Sequence, residues 1–282
     1  MTPFPPKTSM TTTEELRAIA QRIKTAQDEA GQLEPSSAHA GDFDVDAAYE
    51  VAHIIHAARM AAGAVPVGRK IGFTNPSMWP VYDVHEPIWG HVYDTTVVHM
   101  PAGKATCRIG RFAEPKIEPE IILHFGTAPP VTDDAQAILA CVDWIAHGFE
   151  IVQSPYPGWK FKIADTIANS AMHGTLLVGA PQPVERLGAD LLRRLERFSI
   201  SLSLNGAVQD TGTGANVLGS PPSAVAHLLG VLARQPHYAP LRAGELVTTG
   251  TLTAALPVHP GETWSTRIEG IALPGVNVAF VA

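Results

Sequence analysis

The sequence predicts an α+β protein whose sheets are mixed or antiparallel, preceded by a small helical segment. From Val65 onward, short β-type runs alternate with glycine and proline, and the predicted strands outnumber the helices. Many of these runs are joined by short turns, which favours antiparallel pairing over a doubly wound sheet. A dinucleotide-binding fold is disfavoured as well, because Gly212-Thr213-Gly214 lacks the third glycine of that fingerprint.

Two helices are predicted before the β-rich part of the chain. The first begins at a capping box formed by Thr12 and Glu15, and Gly31 is its stop signal. Apolar residues recur between them at helical spacing: Leu16, Ile19, Ala20 and Ile23. The second helix is predicted from about Asp46 to Ala62. The chain therefore divides into three predicted parts: a disordered tail (1–11), an N-terminal helical segment (12–65) and a β-rich domain (66–282).

The β-rich part contains nine predicted strands and two further helices. The strands are Gly68–Phe73, His91–His99, Ile117–Phe125, Phe149–Val152, Thr175–Val178, Ser199–Leu204, Leu246–Thr249, Thr263–Ile268 and Val276–Val281. Asn205-Gly206 directly follows one of them and predicts a hairpin with a type I′ turn. The helices are predicted at Asp134–Ile145, capped by Asp133, and at Pro222–Ala233.

Composition excludes several classes of protein. With 45% hydrophobic and 17% charged residues, the chain is not intrinsically disordered. Its net charge of −7 without a basic run argues against nucleic acid or a membrane surface as a partner. Two cysteines, Cys107 and Cys141, form neither a disulfide framework nor a zinc pattern, which favours a cytoplasmic location. We see no run of about 18 apolar residues that would span a membrane.

Three carboxylates are the strongest chemical signal in the sequence. Glu118 and Glu120 are separated by one residue, so on a strand both side chains project to the same face. Glu150 lies in an otherwise apolar predicted strand, where an unpaired carboxylate is costly. Clustered carboxylates repel unless a cation lies between them, and Mg²⁺ or Mn²⁺ takes such oxygen ligands. The alternatives are solvated glutamates on an edge strand, favoured by Pro119, and pairing of Glu150 with a basic residue.

Other polar residues have both a functional and a structural interpretation. Lys70 and Lys162 are candidate substrate-facing cations or exposed lysines, and Asp165 is a candidate site residue or a helix cap. His173 precedes a strand and is a candidate acid or base, or a structural histidine. Thr251 follows Gly250 at a strand end, where a backbone N–H and a hydroxyl can meet an anion, unless this is an ordinary turn.

Taken together, these motifs resemble the fumarylacetoacetate hydrolase superfamily, and within it the 2-keto-4-pentenoate hydratase / 4-oxalocrotonate decarboxylase branch. The resemblance covers about residues 12–282 and rests on Gly68–Thr74, Glu86–Gly90, Ile117–Ile121, Phe149–Val152, Asp165–Asn169, Ala243–Thr251 and Val276–Phe280. The sequence departs from the branch at Ile88, where some hydratases carry an acidic residue. It departs again where many members carry a serine, which is replaced here by Met172 or by His173, depending on the alignment.

The resemblance implies a mixed β-roll, with residues 66–282 as a metal-binding catalytic domain. It implies Glu118, Glu120 and Glu150 as ligands of Mg²⁺ or Mn²⁺ and Lys70 as the active-site lysine. We expect Lys162 and His173 as weaker catalytic candidates, and substrate binding by three residues: Ile71, Gly72 and Thr251.

The implied activity is hydration of a 2-hydroxy-2,4-dienoate to a 4-hydroxy-2-oxo acid in aromatic meta-cleavage. Decarboxylation of a 2-oxo-dioate, acylpyruvate hydrolysis and a non-catalytic partner subunit are the alternatives. A homo-oligomer is expected, with a decarboxylase partner as a further option.

Overall fold

A computed structural model describes residues 12–39, 43–76, 79–82, 84–235 and 237–282, so the predicted tail lies outside the described residues. The helices within these ranges are α1 (Thr13–Asp28), α2 (Val45–Ala61), α3 (Trp79–Tyr82), α4 (Ala135–Leu139), α5 (Ile163–Ala168), α6 (Leu191–Arg197) and α7 (Pro221–Ala233). The first seven strands are β1 (Pro66–Gly72), β2 (Ile88–Tyr93), β3 (Val97–His99), β4 (Lys104–Arg108), β5 (Lys116–Phe125), β6 (Val142–Val152) and β7 (His173–Val178). The remaining strands are β8 (Gln182–Pro183), β9 (Ser199–Leu204), β10 (Ala207–Thr213), β11 (Leu246–Thr248), β12 (Leu256–Pro257), β13 (Thr263–Glu269) and β14 (Asn277–Val281).

Two mixed sheets form the body of the molecule. The larger has the order β2-β1-β11-β5-β6-β7-β3, with β12 paired to β5 and β8 paired to β6. The smaller has the order β10-β9-β13-β14-β4. Parallel pairs (β1 with β11, β3 with β7, β4 with β14) are combined with antiparallel ones. This architecture confirms the predicted α+β class with a mixed sheet system.

The N-terminal helices form as their sequence signals predict. Thr12 and Glu15 make the reciprocal capping box at the start of α1. In α2 the side chain of Asp44 accepts a hydrogen bond from the backbone N–H of Ala47 at 3.0 Å. The apolar face of each helix is buried, and α2 packs against both α1 and α5. The helical segment is therefore joined to the β-rich part through the helix that follows β6.

The predicted helix Asp134–Ile145 is wrong over its second half. The helix α4 ends at Leu139, and its cap is Asp134 rather than Asp133, since the Asp134 side chain accepts from Gln136 N–H at 2.9 Å. Strand β6 begins at Val142 and pairs antiparallel with β5 along its whole length. Because this pairing joins residues far apart in sequence, it outweighs the local helical preference of the segment.

The other predicted elements match with smaller differences. The predicted strand His91–His99 is divided between β2 and β3 by a 3₁₀ turn at Asp94–Thr96. The hairpin at Asn205-Gly206 is confirmed, since both residues have positive φ, at 49° and 86°, and β9 pairs with β10. Strand β4 and helix α6 were not predicted.

Candidate active site

The three predicted carboxylates meet on one face of the large sheet. Glu118 and Glu120 alternate along β5, and Glu150 on β6 stands directly across from Glu118 in the antiparallel register. One carboxylate oxygen from each lies within 4.8 Å of the other two. Strand alternation and register alone are therefore enough to assemble the cluster.

Burial makes this cluster unfavourable without a cation. Glu120 and Glu150 are 1% and 0% exposed. Burial, together with repulsion from Glu150, raises the pKa of Glu118 to about 7, although Lys70 opposes the shift. Burial and the two neighbouring carboxylates raise the pKa of Glu120 well above its usual value. Three desolvated carboxylates at this distance therefore favour either protons or a multivalent cation among them.

Lys70 supplies one positive charge to the cluster from β1. Its Nζ lies 2.9 Å from Glu150 Oε2, and its side chain is 3% exposed. Burial works against the charged amine, but the three glutamates outweigh it and raise the pKa of Lys70. Burial would raise the pKa of Glu150, yet Lys70 and His173 lower it on balance. Lys70 and Glu150 therefore form a buried ion pair beside the other two carboxylates.

His173 holds Glu150 from a different direction. Its Nδ1 lies 2.7 Å from Glu150 Oε1, and its Nε2 lies 2.8 Å from Thr96 Oγ1. The Thr96 hydroxyl donates to the carbonyl oxygen of Tyr93 at 3.0 Å, so it accepts from the histidine. His173 does not line the cavity that Lys70 and Glu118 border, so its contact with Glu150 orients that carboxylate from behind.

Glu120 is anchored from the opposite side by the segment after β11. Its Oε2 accepts hydrogen bonds from the Thr248 hydroxyl and from the Gly250 N–H, the latter at 2.8 Å. Only glycine fits at position 250, because φ is +99° and a Cβ there would lie 1.8 Å from Thr74 Oγ1. The Thr248 hydroxyl was not predicted, since its neighbour Thr249 looks equivalent in sequence.

The donor set fits a divalent metal ion. The buried Oε1 atom of Glu120 has no hydrogen-bond partner among the described residues, so it is a free acceptor inside the cluster. Carboxylate oxygens are the ligands that hard divalent cations prefer. Glu118, Glu120 and Glu150 could therefore hold such an ion, as the sequence predicts.

A cavity of about 400 Å³ adjoins the carboxylates. The predicted substrate-binding residues Ile71, Gly72 and Thr251 line it, and the Thr251 hydroxyl donates to the Thr253 carbonyl at 2.9 Å. Its charged lining residues, within the described part of the chain, are Lys70, Lys116 and Glu118. The rest of the wall is largely apolar and includes residues that the sequence analysis missed: Trp159, Phe161 and Ala255, and also Ile88 and Met172, where the sequence departs from the branch.

Lys162 and Asp165 occupy positions away from this cavity. Lys162 is exposed, precedes α5, and is not among the lining residues. Asp165 is fully buried and accepts from the N–H and hydroxyl of Ser37 at 3.0 and 2.5 Å, and from Lys162 N–H at 2.9 Å. These contacts agree with its alternative interpretation as a helix cap.

Comparison with known proteins decides the family. The fumarylacetoacetate (FAA) hydrolase C-terminal model matches residues 75–276. The chain belongs to this family. It is 32% identical over 265 residues to a 2-keto-4-pentenoate hydratase of Paraburkholderia xenovorans (strain LB400), covering 92% of this chain and 93% of that protein. It is 30% identical over 273 residues to a 4-oxalocrotonate decarboxylase of Pseudomonas sp. (strain CF600), covering 96% and 98% of the two chains. The relatives thus include both a hydratase and a decarboxylase, which confirms the branch that the sequence predicts. Both names denote enzymes of the lyase class.

Solved structures of the family have the same fold. The 4-oxalocrotonate decarboxylase from Pseudomonas putida G7, complexed with magnesium and adipate, has a TM-score of 0.87 at 27% identity, covering 97% of this chain and all of that one. A fumarylpyruvate hydrolase from Pseudomonas aeruginosa, in complex with Mn²⁺ and pyruvate, has a TM-score of 0.58 at 17% identity, over 77% of this chain and 90% of that one. The predicted β-roll is thereby confirmed. None of the described helices is long and apolar enough to cross a membrane.

Proposed function

We propose that this chain is a Mg²⁺-dependent lyase that adds water to a 2-hydroxy-2,4-dienoate and releases a 4-hydroxy-2-oxo acid. The observation that carries the proposal is the buried cluster of Glu118, Glu120 and Glu150, paired with Lys70 and adjoining a largely apolar cavity. The hydratase relatives, which match over nine-tenths of their length, support the reaction class.

The cluster suits a substrate that gains negative charge at oxygen. A bound Mg²⁺ would act as a Lewis acid that polarises the substrate oxygens and stabilises enolate charge. Glu118, Glu120 and Glu150 would hold that ion, and the Thr248 hydroxyl and Gly250 N–H keep Glu120 oriented toward it.

Lys70 is suited to the role of a cation rather than of a base. The raised pKa keeps its Nζ protonated at neutral pH, because three carboxylates surround it. Lys70 therefore neutralises the substrate carboxylate or donates a proton from Nζ. The apolar wall of the cavity lowers the local dielectric, which strengthens each of these charge interactions.

Decarboxylation of a 2-oxo-dioate is the second candidate. It is favoured by the 4-oxalocrotonate decarboxylase relatives, one of which covers 96% of this chain, and by the TM-score of 0.87 to a solved decarboxylase. Both reactions pass through an enolate, so the metal cluster and Lys70 serve either one. Within the same proposal, the protein is a cytoplasmic homo-oligomer, with a complex with a partner decarboxylase as the further option.

A direct assay tests the proposal. Purified protein is mixed with 2-hydroxypenta-2,4-dienoate, with Mg²⁺ or with EDTA, and dienol loss and the product are followed. We expect Mg²⁺-dependent formation of 4-hydroxy-2-oxopentanoate. If this protein leaves the dienoate unchanged but releases CO₂ from 2-oxohex-3-enedioate, the decarboxylase candidate replaces the hydratase.

A further inference from the structure

A buried chain of hydrogen bonds joins the N-terminal helices to the wall of the cavity. The Arg59 guanidinium on α2 donates to Gln27 Oε1 on α1 at 2.7 Å. Gln27 Nε2 donates in turn to Asn169 Oδ1 at 2.6 Å, and Asn169 Nδ2 donates to Met172 Sδ at 2.9 Å. Gln27 is 7% exposed and Asn169 is 1% exposed, so water has little access to these bonds. We call the chain Arg59–Gln27–Asn169–Met172 the amide relay.

The direction of each hydrogen bond in the amide relay is fixed from its arginine end. A guanidinium has only donors, so it meets the amide oxygen of Gln27 and leaves the Gln27 NH₂ group for Asn169. Asn169 therefore accepts with its oxygen and presents its own NH₂ group to the Met172 sulfur, which is only a weak acceptor. Asp28 holds the Arg59 guanidinium in place at 3.1 Å. The orientation of both amides thus follows from one ion pair between α1 and α2.

Met172 is the residue through which the amide relay meets the cavity. Its side chain packs with Val152, Trp159 and Phe161, and all four residues line the cavity. An unbranched thioether has three rotatable bonds, so apolar packing alone leaves it several conformations. Its φ of +64° is a conformation that persists only where neighbouring contacts hold it. The hydrogen bond from Asn169 therefore fixes the sulfur at one place in the wall.

The helices α1 and α2 supply none of the lining residues of this cavity in the described part of the chain. We propose that Gln27 and Asn169 are positioning residues that hold the Met172 side chain, so that the N-terminal helices set how tightly the cavity binds an apolar substrate tail. This inference rests on the proposed function, which places the substrate oxygens at the metal cluster. A mobile Met172 would have to be ordered by each tail that binds, which costs affinity for the tail and not for the oxygens.

Substitutions at position 27 test the amide relay at a residue that does not line this cavity. Gln27→Glu keeps an acceptor for Arg59 but has no N–H to donate, so the Asn169 amide turns its NH₂ group toward that carboxylate and its oxygen toward the sulfur. Gln27→Met removes both hydrogen bonds without adding a charge. Gln21→Glu, at an exposed position of the same helix, is the matched control. A thermal melt of each variant checks that it is folded.

The methyl group of Met172 reports the conformation of its own side chain. In protein labelled with ¹³C at the methionine methyl carbons, the Met172 resonance is the one that disappears in Met172→Leu. Its ¹³C shift depends on the rotamer and moves to an averaged position when rotamers interconvert. We expect Gln27→Glu and Gln27→Met to move it toward that position and Gln21→Glu to leave it in place. An unmoved resonance in both position-27 variants would overturn the inference.

Equilibrium binding of two inert 2-oxo acids tests the consequence for the substrate tail. Pyruvate and 2-oxohexanoate share the carboxylate and the 2-oxygen, and the second has an apolar tail that is three carbons longer. Neither contains the diene to which water adds. Their dissociation constants are measured by calorimetry on the Mg²⁺-loaded protein. We expect the wild type to prefer 2-oxohexanoate, and that preference to fall about threefold or more in both position-27 variants, with pyruvate binding within about twofold of wild type.

A double substitution tests whether the loss acts through the sulfur. In the Met172→Leu background, Gln27→Glu should change neither dissociation constant by more than about twofold, because no sulfur is left to hold. Equal affinity of the wild type for both probes, an unchanged preference in the position-27 variants, or the same loss in the Met172→Leu background would each overturn the inference. If the Met172 methyl responds to Gln27→Glu but neither probe binds, the proposed function fails and the positioning of Met172 by the amide relay stands.

Discussion

The two ends of the cavity are built in different ways. The inner end, with the carboxylate cluster and Lys70, consists of side chains on β1, β5 and β6, fixed by register and by buried hydrogen bonds. The outer end consists of Trp159, Phe161 and Met172, which lie on turns after β6 and after α5. The inner end is charged and the outer end is largely apolar.

The outer end also carries backbone strain. Ser170, Ala171 and Met172 all have positive φ, at 53°, 52° and 64°. Each such residue costs about 1–2 kcal/mol relative to a right-handed conformation. This turn lies against Gly90, where a Cβ would be 2.6 Å from the Ser170 carbonyl oxygen. The two ends therefore differ in construction: the inner end stands on sheet strands, and the outer end stands on turns with positive φ, the kind of segment in which binding residues are disproportionately found.

The largest expected effect is at the inner end, from Glu120→Gln. The substitution removes a charged ligand, so we expect Mg²⁺ affinity to fall at least about 100-fold and metal-dependent turnover to disappear. Because the pKa of Glu120 is raised well above its usual value, a neutral amide should not lower the melting temperature of the metal-free protein. Calorimetric titration with Mg²⁺ and a thermal melt measure both. Glu14→Gln, at an exposed position in α1, is the control, and unchanged Mg²⁺ affinity would contradict the ligand assignment.

Gly250→Ala should damage the inner end through the backbone. The added Cβ would lie 1.8 Å from Thr74 Oγ1 and displace the N–H that donates to Glu120. Gly244→Ala is a matched control, since its φ of +85° carries similar strain but no atom lies within 4 Å. We expect Gly244→Ala to cost about 1 kcal/mol of unfolding free energy, and Gly250→Ala about 3 kcal/mol or more. Denaturant unfolding measures both free energies. An equal loss of unfolding free energy in the two variants would mean that the contact with Thr74 adds no steric cost.

Metal binding should weaken as the pH falls below about 7. Burial, together with Glu150, raises the pKa of Glu118 to about 7, so a proton competes with the metal below that pH. Because one proton competes with the metal, the apparent Mg²⁺ affinity should fall about tenfold for each pH unit below about 7. In the metal-free protein the folded state binds this proton between the usual pKa of 4.5 and about 7, so stability decreases as pH rises through that window. Mg²⁺ titrations and unfolding experiments from pH 5.5 to 8.5 measure the affinity and the stability. In Glu118→Gln, the pH dependence that this carboxylate contributes should disappear.

Thr248→Val tests whether the Thr248 hydroxyl anchors Glu120 and whether that of the neighbouring Thr249 does not. The Thr248 hydroxyl donates to Glu120 Oε2, while the Thr249 hydroxyl donates to the Ile121 carbonyl at 3.0 Å. Both residues are fully buried, so Thr249→Val is matched in size and environment. We expect about tenfold weaker Mg²⁺ binding for Thr248→Val and little change for Thr249→Val. Equal effects on Mg²⁺ affinity would mean that the hydroxyl acts only through packing.

Much of the inner end could be predicted because its rules are local. Alternation along one strand puts Glu118 and Glu120 on one face, and a lone carboxylate in an apolar strand singles out Glu150. The same alternation extends to Lys116, which the sequence analysis did not use. The helix boundary at α4 and β6 was missed because it depends on pairing between β5 and β6, which no local pattern contains.

The outer end could not be predicted, because its residues come from turns whose positions depend on the folded sheet. Trp159 lies on a turn held by Glu114, whose carboxylate accepts from Gly158 N–H and whose carbonyl accepts from the indole N–H. Lys162 lies three residues after Trp159 in the same stretch of alternating aromatic residues and lysines, but its side chain is exposed. A lysine beside aromatic residues gives no local signal of which side chain faces the cavity.

The smallest expected effect tests whether the outer end is separate from the chemistry. Trp159→Leu removes part of the apolar wall, and about 40 Å² of lost contact is worth about 1 kcal/mol, or roughly fivefold in substrate binding. We expect KM to rise by that factor while kcat and Mg²⁺ affinity stay within twofold of wild type. Trp144→Leu is the control, because that ring stacks on His124 and does not line the cavity. If kcat falls instead and KM is unchanged, the indole contributes to the transition state, and the division of the cavity into a chemical end and a selective end fails.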